Sequence, residues 1–87
     1  MARYRIVFKP SAERAFLALP RDAQKRLDKR ILALQDNPRP PGVKALARES
    51  GVYRLRVGDY RVLYEVLDDQ VLVFVVAVGH RREVYRM

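Results

Sequence analysis

Cysteine is absent from this 87-residue chain, which excludes a disulfide framework and a thiolate zinc site. A small domain must then stand on packing or on a bound partner. A reducing compartment fits that composition. No apolar run approaches the roughly 20 residues that span a bilayer, and Ala2, Arg3 and Tyr4 do not form a basic segment leading into an apolar stretch. The expectation is a cytoplasmic protein with no membrane contact. His80 is the one histidine, too little for a metal site, and no Gly-rich phosphate loop or G-x-S-x-G nucleophile is present. Asp68 and Asp69 stand together where turn geometry explains them better than a metal does. Neither a metal nor a cofactor is expected.

Acidic residues are also scarce, ten Asp and Glu against eighteen Lys and Arg, giving a net charge of +8. On so small a domain such a field concentrates polyanions, and nucleic acid is the leading ligand class. Only Lys9, Lys25, Lys29 and Lys44 among the cations are lysines, and arginine is the residue whose planar fork grips phosphate with two hydrogen bonds. Apolar residues reach 49%, enough for a core, although a chain of this length buries only roughly 60% of its unfolded surface. One domain, residues 1–87, is expected.

Residues 4–8 read as a short strand that stops at Pro10, after which Ser11 offers an N-cap and Ala12, Ala15, Phe16 and Leu19 recur at helical spacing until Pro20. A second helix is predicted over residues 21–35, with Ala23, Leu27, Ile31 and Leu34 as its buried stripe. Lys25, Arg26 and Lys29 project elsewhere, either as a solvated face or as contacts to ribosomal or transfer RNA phosphates. The stretch NPRPPG, residues 37–42, is a stiff connector. From residue 52 the period changes to two, and strands follow over residues 52–57, 60–67 and 71–79. Of these, VLVFVVAV is apolar on both faces, as for a strand covered on both sides or flanked by two neighbours. The fold class is α+β, in the order β-α-α-β-β-β: a four-stranded, mostly antiparallel sheet with both helices on one face.

Gly58 and Asp59 make a two-residue hairpin loop with glycine where a type II′ turn requires it, which fixes a register. Val57 faces Tyr60, Arg56 faces Arg61, Leu55 faces Val62, Arg54 faces Leu63 and Tyr53 faces Tyr64. Tyr53, Leu55, Val62 and Tyr64 then line the helix side, and Arg54, Arg56 and Arg61 gather on the other. Two arginines directly opposed repel by about 3 kcal/mol at roughly 5 Å and an effective dielectric of about 20. A purely structural pattern would set a carboxylate against Arg56, so the pair points to a site held ready for an anion. His80, Arg81, Arg82 and Tyr85 follow the long strand. For RNA scission, arginines can hold the phosphate and neutralise charge as it develops. Arginine is a poor proton shuttle, its pKa exceeding about 12, which leaves His80 and Tyr85 as general acid and base.

The segments GVYRLRVGDYRVLYEV and VFVVAVGHRREVYR resemble the RelE/ParE superfamily of toxins from toxin–antitoxin pairs, and the likeness covers nearly the whole chain. Within RelE-like toxins the resemblance implies a ribosome-dependent endoribonuclease that cuts messenger RNA in the A site and leaves a 2′,3′-cyclic phosphate. Arg54, Arg56, Arg61 and Arg81 match the family's basic positions, and Tyr85 matches its C-terminal tyrosine. The hairpin-strand positions are often lysine in that branch, and the segment between Arg81 and Tyr85 is shorter here. Because arginine cannot give up a proton, this chain is expected to rely more on His80 or Tyr85. Lys25, Arg26, Lys29, Lys44 and Arg82 are the accompanying candidates for RNA binding. The resemblance also implies an acidic antitoxin partner, through which alone the complex would meet DNA. The alternative within the superfamily is a ParE-like toxin that inhibits DNA gyrase without cutting RNA.

Overall fold

A computed structural model describes residues 3–46 and 51–80. Strand β1 (Arg5–Phe8) leads into helix α1 (Pro10–Leu17) and helix α2 (Arg21–Ala33), followed by β2 (Lys44–Ala45), β3 (Val52–Val57), β4 (Tyr60–Leu67), a 3₁₀ turn (Asp68–Gln70) and β5 (Leu72–His80). The five strands form one sheet in the order β1-β5-β4-β3-β2, antiparallel except where β1 runs parallel to β5. No helix among the described residues is long and apolar enough to cross a membrane.

The two-helix, mixed-sheet architecture agrees with the sequence reading, with one strand more. The added strand β2 has two residues, lies at the edge of the sheet and pairs Lys44 with Arg54 and Ala45 with Tyr53. Two residues carry no readable period of their own, and the pairing with β3 alone makes them a strand. The helix boundaries also move. Pro10 starts α1 and Lys9, not Ser11, occupies the N-cap position, because a proline at the first helical position has its φ set and gives up an N–H that the helix does not need. Helix α2 ends at Ala33 rather than at residue 35.

The predicted stripe Ala23, Leu27, Ile31 and Leu34 is buried along its whole length. Leu27, Ile31 and Leu34 pack with Ala12 of α1 against Leu55, Val57, Val62, Tyr64, Val66, Val73, Val75 and Val78 in a single core cluster. These strand residues alternate with those of the opposite face, except where a register shift between Leu63 and Tyr64 leaves Val76 as an extra residue of β5 and spaces Val75 and Val78 by three. Removing a fully buried leucine such as Leu27 by Leu→Ala costs about 2–5 kcal/mol. β5 has a neighbour on each side, which answers to its apolar sequence.

At the end of the sheet away from the Gly58 hairpin, the proline-rich connector is tied down by polar groups. Arg39 grips Asp68 with two hydrogen bonds of 2.7 and 3.2 Å and gives a third, of 2.8 Å, to the Tyr53 hydroxyl. Tyr4 donates to the same carboxylate at 2.6 Å. The Arg39 guanidinium, and after it the Tyr4 hydroxyl, hold the Asp68 carboxyl below its usual range. Asp68 thus ties the connector to the turn between β4 and β5. Beneath this clasp Tyr64, fully buried, donates to the Pro38 carbonyl at 2.7 Å and stacks on Tyr53 with ring centroids 5.8 Å apart.

Burial, reinforced by Tyr53, pushes the Tyr64 hydroxyl up to about 12 from its usual 10. A phenol that stays protonated in the folded chain stabilises it fully below the ordinary value and loses that contribution as pH rises toward the folded one. The urea midpoint is therefore expected to fall between pH 10 and about 12. The Tyr64→Phe variant loses most of that slope, and at pH 7 it is less stable by about 1–2 kcal/mol because the Pro38 carbonyl is left unpaired.

Candidate phosphate-binding face

Gly58 adopts φ +59° while Asp59 keeps a negative φ, the pattern of a type II′ turn. The register that this turn sets is the expected one: Val57 opposite Tyr60, Arg56 opposite Arg61, Leu55 opposite Val62, Arg54 opposite Leu63 and Tyr53 opposite Tyr64. Tyr53, Leu55, Val62 and Tyr64 belong to the helix-side core. Arg54, Arg56 and Arg61 share the other face, opposite the one on which α1 and α2 pack among the described residues.

Transverse rows describe that face. Nearest the hairpin, Arg56 on β3, Arg61 on β4 and Gly79 on β5 stand in line. In the next row Lys44, Arg54, Leu63 and Ala77 follow from β2 to β5. Farther along come Val52, Glu65 and Phe74. Glu65 is the one carboxylate within the described strands, and it lies four residues along β4 from Arg61. Cations thus occupy the hairpin end, and apolar residues dominate the other.

Arg61 is the anomaly of the site. It is 7% exposed and is the one buried charged residue among those described. Its Nη1 reaches the Gly58 and Tyr60 carbonyls at 3.5 and 3.3 Å, both long for a charge-assisted bond. Its Nε is the one buried side-chain polar atom among the described residues that has no partner. A desolvated guanidinium with an empty donor is costly and is retained where an anion completes it. Glycine at position 79, directly across from Arg61, leaves the neighbouring strand without a side chain beside the guanidinium.

The pairing of β5 places His80 apart from the arginines. His80 pairs with Tyr60, not with Arg61, and its ring meets the Tyr60 ring edge-on with centroids 6.1 Å apart. Tyr60 packs against the helix-side core, so His80 stands on the face opposite the arginines. One residue of register separates it from them, because successive strand side chains point to opposite faces. Arg81, Arg82 and Tyr85 lie outside the described residues.

Of the lysines and arginines assigned to RNA contact, Lys44 joins the arginine face and Arg26 comes to the hairpin. The Nη1 of Arg26 lies 3.7 Å from where a Cβ on Gly58 would stand, and its Nη2 makes a weak 4.0 Å contact with Asp22. Lys25 and Lys29 remain on the exposed outer surface of α2. Sequence reasoning missed the alignment of Lys44 with Arg54, for which no periodic signal exists in two residues. It also missed the Arg39–Asp68 clasp, whose partners lie 29 positions apart.

Comparison with known proteins identifies the family and the fold. A family model described as the ParE toxin of the type II toxin–antitoxin system parDE matches residues 6–85. A putative RelE-like toxin protein of Escherichia coli is 31% identical over 88 aligned positions, covering 98% of this chain and 93% of the relative. The mRNA interferase toxin RelE of Escherichia coli strain K12 is 31% identical over 85 positions, covering 94% and 90%. The crystal structure of the isolated E. coli RelE toxin superposes with a TM-score of 0.82 at 30% identity, covering 95% of this chain and 92% of that one. The toxin in the intact E. coli RelBE toxin–antitoxin complex gives 0.81 at 28% identity, covering 88% and 95%. The chain belongs to the RelE/ParE superfamily of toxins.

Because Arg61 holds an unpaired buried donor, relieving it should help the fold. Arg61→Met is expected to raise the urea midpoint by about 1 kcal/mol of stability, and a drop in the midpoint would show instead that the guanidinium is structurally satisfied.

Proposed function

We propose that this toxin is a ribosome-dependent endoribonuclease that cleaves messenger RNA in the A site. The observation that carries the reading is Arg61, buried with an empty Nε, in one row with Arg56 and beside Arg54. The names of the RelE relatives as mRNA interferases support it. In the proposed reaction the 2′-hydroxyl loses its proton and attacks the adjacent phosphorus. A pentavalent phosphorane forms, and the 5′-oxygen leaves with a proton, giving a 2′,3′-cyclic phosphate. Arg61 binds the non-bridging oxygens from below while Arg56 and Arg54 close on them from β3. Together they supply electrostatic stabilisation that grows as charge accumulates on the phosphorane. With His80 turned to the other face, proton transfer falls to Tyr85, and Arg81 is a fourth phosphate ligand. This scheme needs no metal, since the guanidiniums carry the compensating charge.

Lys25, Arg26, Lys29, Lys44 and Arg82 extend the basic surface toward ribosomal or transfer RNA, Arg26 doing so at the hairpin itself. An antitoxin with an acidic toxin-binding segment complements the net charge of +8 and is the expected protein partner; any contact with DNA passes through it. Solved relatives in complex with their antitoxins support that partnership. The ribosomal substrate places the chain in the cytoplasm.

The test is to incubate the purified chain with a programmed ribosome and map message ends by primer extension. Cuts confined to the A-site codon and dependent on the ribosome are expected. Arg61→Ala should lower the rate by about 10²–10³, whereas His80→Gln should leave it close to that of the unaltered chain. The ParE description of the matching family model favours a second reading, gyrase inhibition. Blocked supercoiling with no message cuts would establish it and make the arginines a binding surface.

A further inference from the structure

On the helix side of the sheet, away from the arginines, four polar residues of α2 recur at the spacing of one helix face: Arg21, Gln24, Lys25 and Asp28. With Phe16 of α1 they line a hollow of about 220 Å³ between the two helices. That is below the roughly 300 Å³ at which pockets begin to enclose a whole small molecule, and it leaves room for one ring system. Gln24 is committed, its side-chain amide donating to the Leu17 and Leu19 carbonyls at 3.1 and 2.8 Å. The charged three are not. Among the described residues Arg21, Lys25 and Asp28 make no ion pair or hydrogen bond, although Lys25 and Asp28 stand three positions apart, where opposite charges commonly meet. Phe16 is only partly buried and supplies the aromatic wall.

Such a lining suits a ligand that is flat, carries negative charge at one end and offers hydrogen-bond donors at the other. Arg21 to Asp28 spans seven residues of helix, about 10 Å at roughly 1.5 Å per residue, which is the reach of a nucleotide from its phosphate to the pairing edge of its base. Guanine is the base whose pairing edge gives two adjacent N–H donors to one carboxylate. Adenine and cytosine set a single amino group beside an acceptor, and uracil sets one N–H between two acceptors. An acidic peptide would satisfy the cations, but it brings no flat ring to Phe16 and is repelled by Asp28.

We propose that this hollow binds one unpaired guanine nucleotide of an RNA strand, its base against Phe16 and its two N–H groups donating to Asp28, with its phosphate between Arg21 and Lys25. The proposal rests on the ribosomal reading only for the source of that RNA; the recognition itself involves no residue of the arginine face. It makes the outer surface of α2 a base-selective contact rather than a general basic one.

The test titrates the isotope-labelled chain with 2′-O-methyl hexaribonucleotides, which resist cleavage, and follows the amide shifts by NMR. The strands carry one guanine, adenine or cytosine among uracils, or uracil alone. The guanine strand is expected to shift the amides of Phe16, Lys25 and Asp28 and to bind there about fivefold or more tightly than the others. Asp28→Asn removes that preference. Phe16→Leu weakens the guanine strand by about fivefold or more, while Phe16→Tyr keeps it. Asp28 is exposed, so its exchange leaves the fold intact and the preference can be read even where Phe16→Leu unfolds the chain. Equal binding of all strands at these amides, a guanine preference that survives Asp28→Asn, or the same shifts from a hexaglutamate peptide would overturn the proposal. Shifts with free GMP that no strand reproduces would do so as well. Guanine-dependent shifts from a chain that makes no message cuts would leave the hollow standing and remove the nuclease reading, and message cuts with base-independent shifts would do the reverse.

Discussion

The geometry of the basic face depends on one backbone angle. Gly58 at φ +59° admits the tight turn whose twist matches that of the strands it joins, and the turn leaves a single register for β3 against β4. A slip of β3 by one residue would turn Leu55 to solvent and bring Arg54 or Arg56 into the core. The buried helix-side cluster therefore holds the arginines in place. Core packing and site geometry are two readings of the same alternation, one for each face of the pleat.

The price of the site is visible in what the described strands of the basic face lack. A carboxylate opposite Arg56 would lower the folded chain's energy and remove its reason for binding phosphate. The sole carboxylate within the described strands, Glu65, sits instead toward the apolar end of the sheet. Acid–base pairing that does stabilise is moved to the opposite end, where Arg39, Asp68, Tyr4 and Tyr53 fasten the connector. Arg39 and Arg61 show the contrast most directly. The first is exposed at its head and fully engaged, whereas the second is buried and only partly so.

How much of this could be read from the sequence depended on the range of the signal. The helix stripe of Leu27, Ile31 and Leu34 and the hairpin register around Gly58 are local patterns, with partners within a few residues, and both were legible. β2 was not, because Lys44 and Ala45 become a strand only by meeting Tyr53 and Arg54. The clasp between Arg39 and Asp68 joins two turns that nothing in either turn relates. The place of His80 was not legible for a different reason: its pairing with Tyr60 puts it on the face opposite Arg61, and a periodic apolar run such as that of β5 does not show which face its last residue takes.

The parallel pairing of β1 with β5 brings residues 5–8 against residues 72–75, and β5 also completes β4. Before β5 is made, the first strand has no partner and the two helices have only part of a sheet on which to rest. Long-range pairing of this kind makes folding a late, concerted event. The row that holds Arg61 closes with Gly79, near the end of the same strand. The basic face and the fold consequently come into existence together, and a chain still short of β5 presents neither.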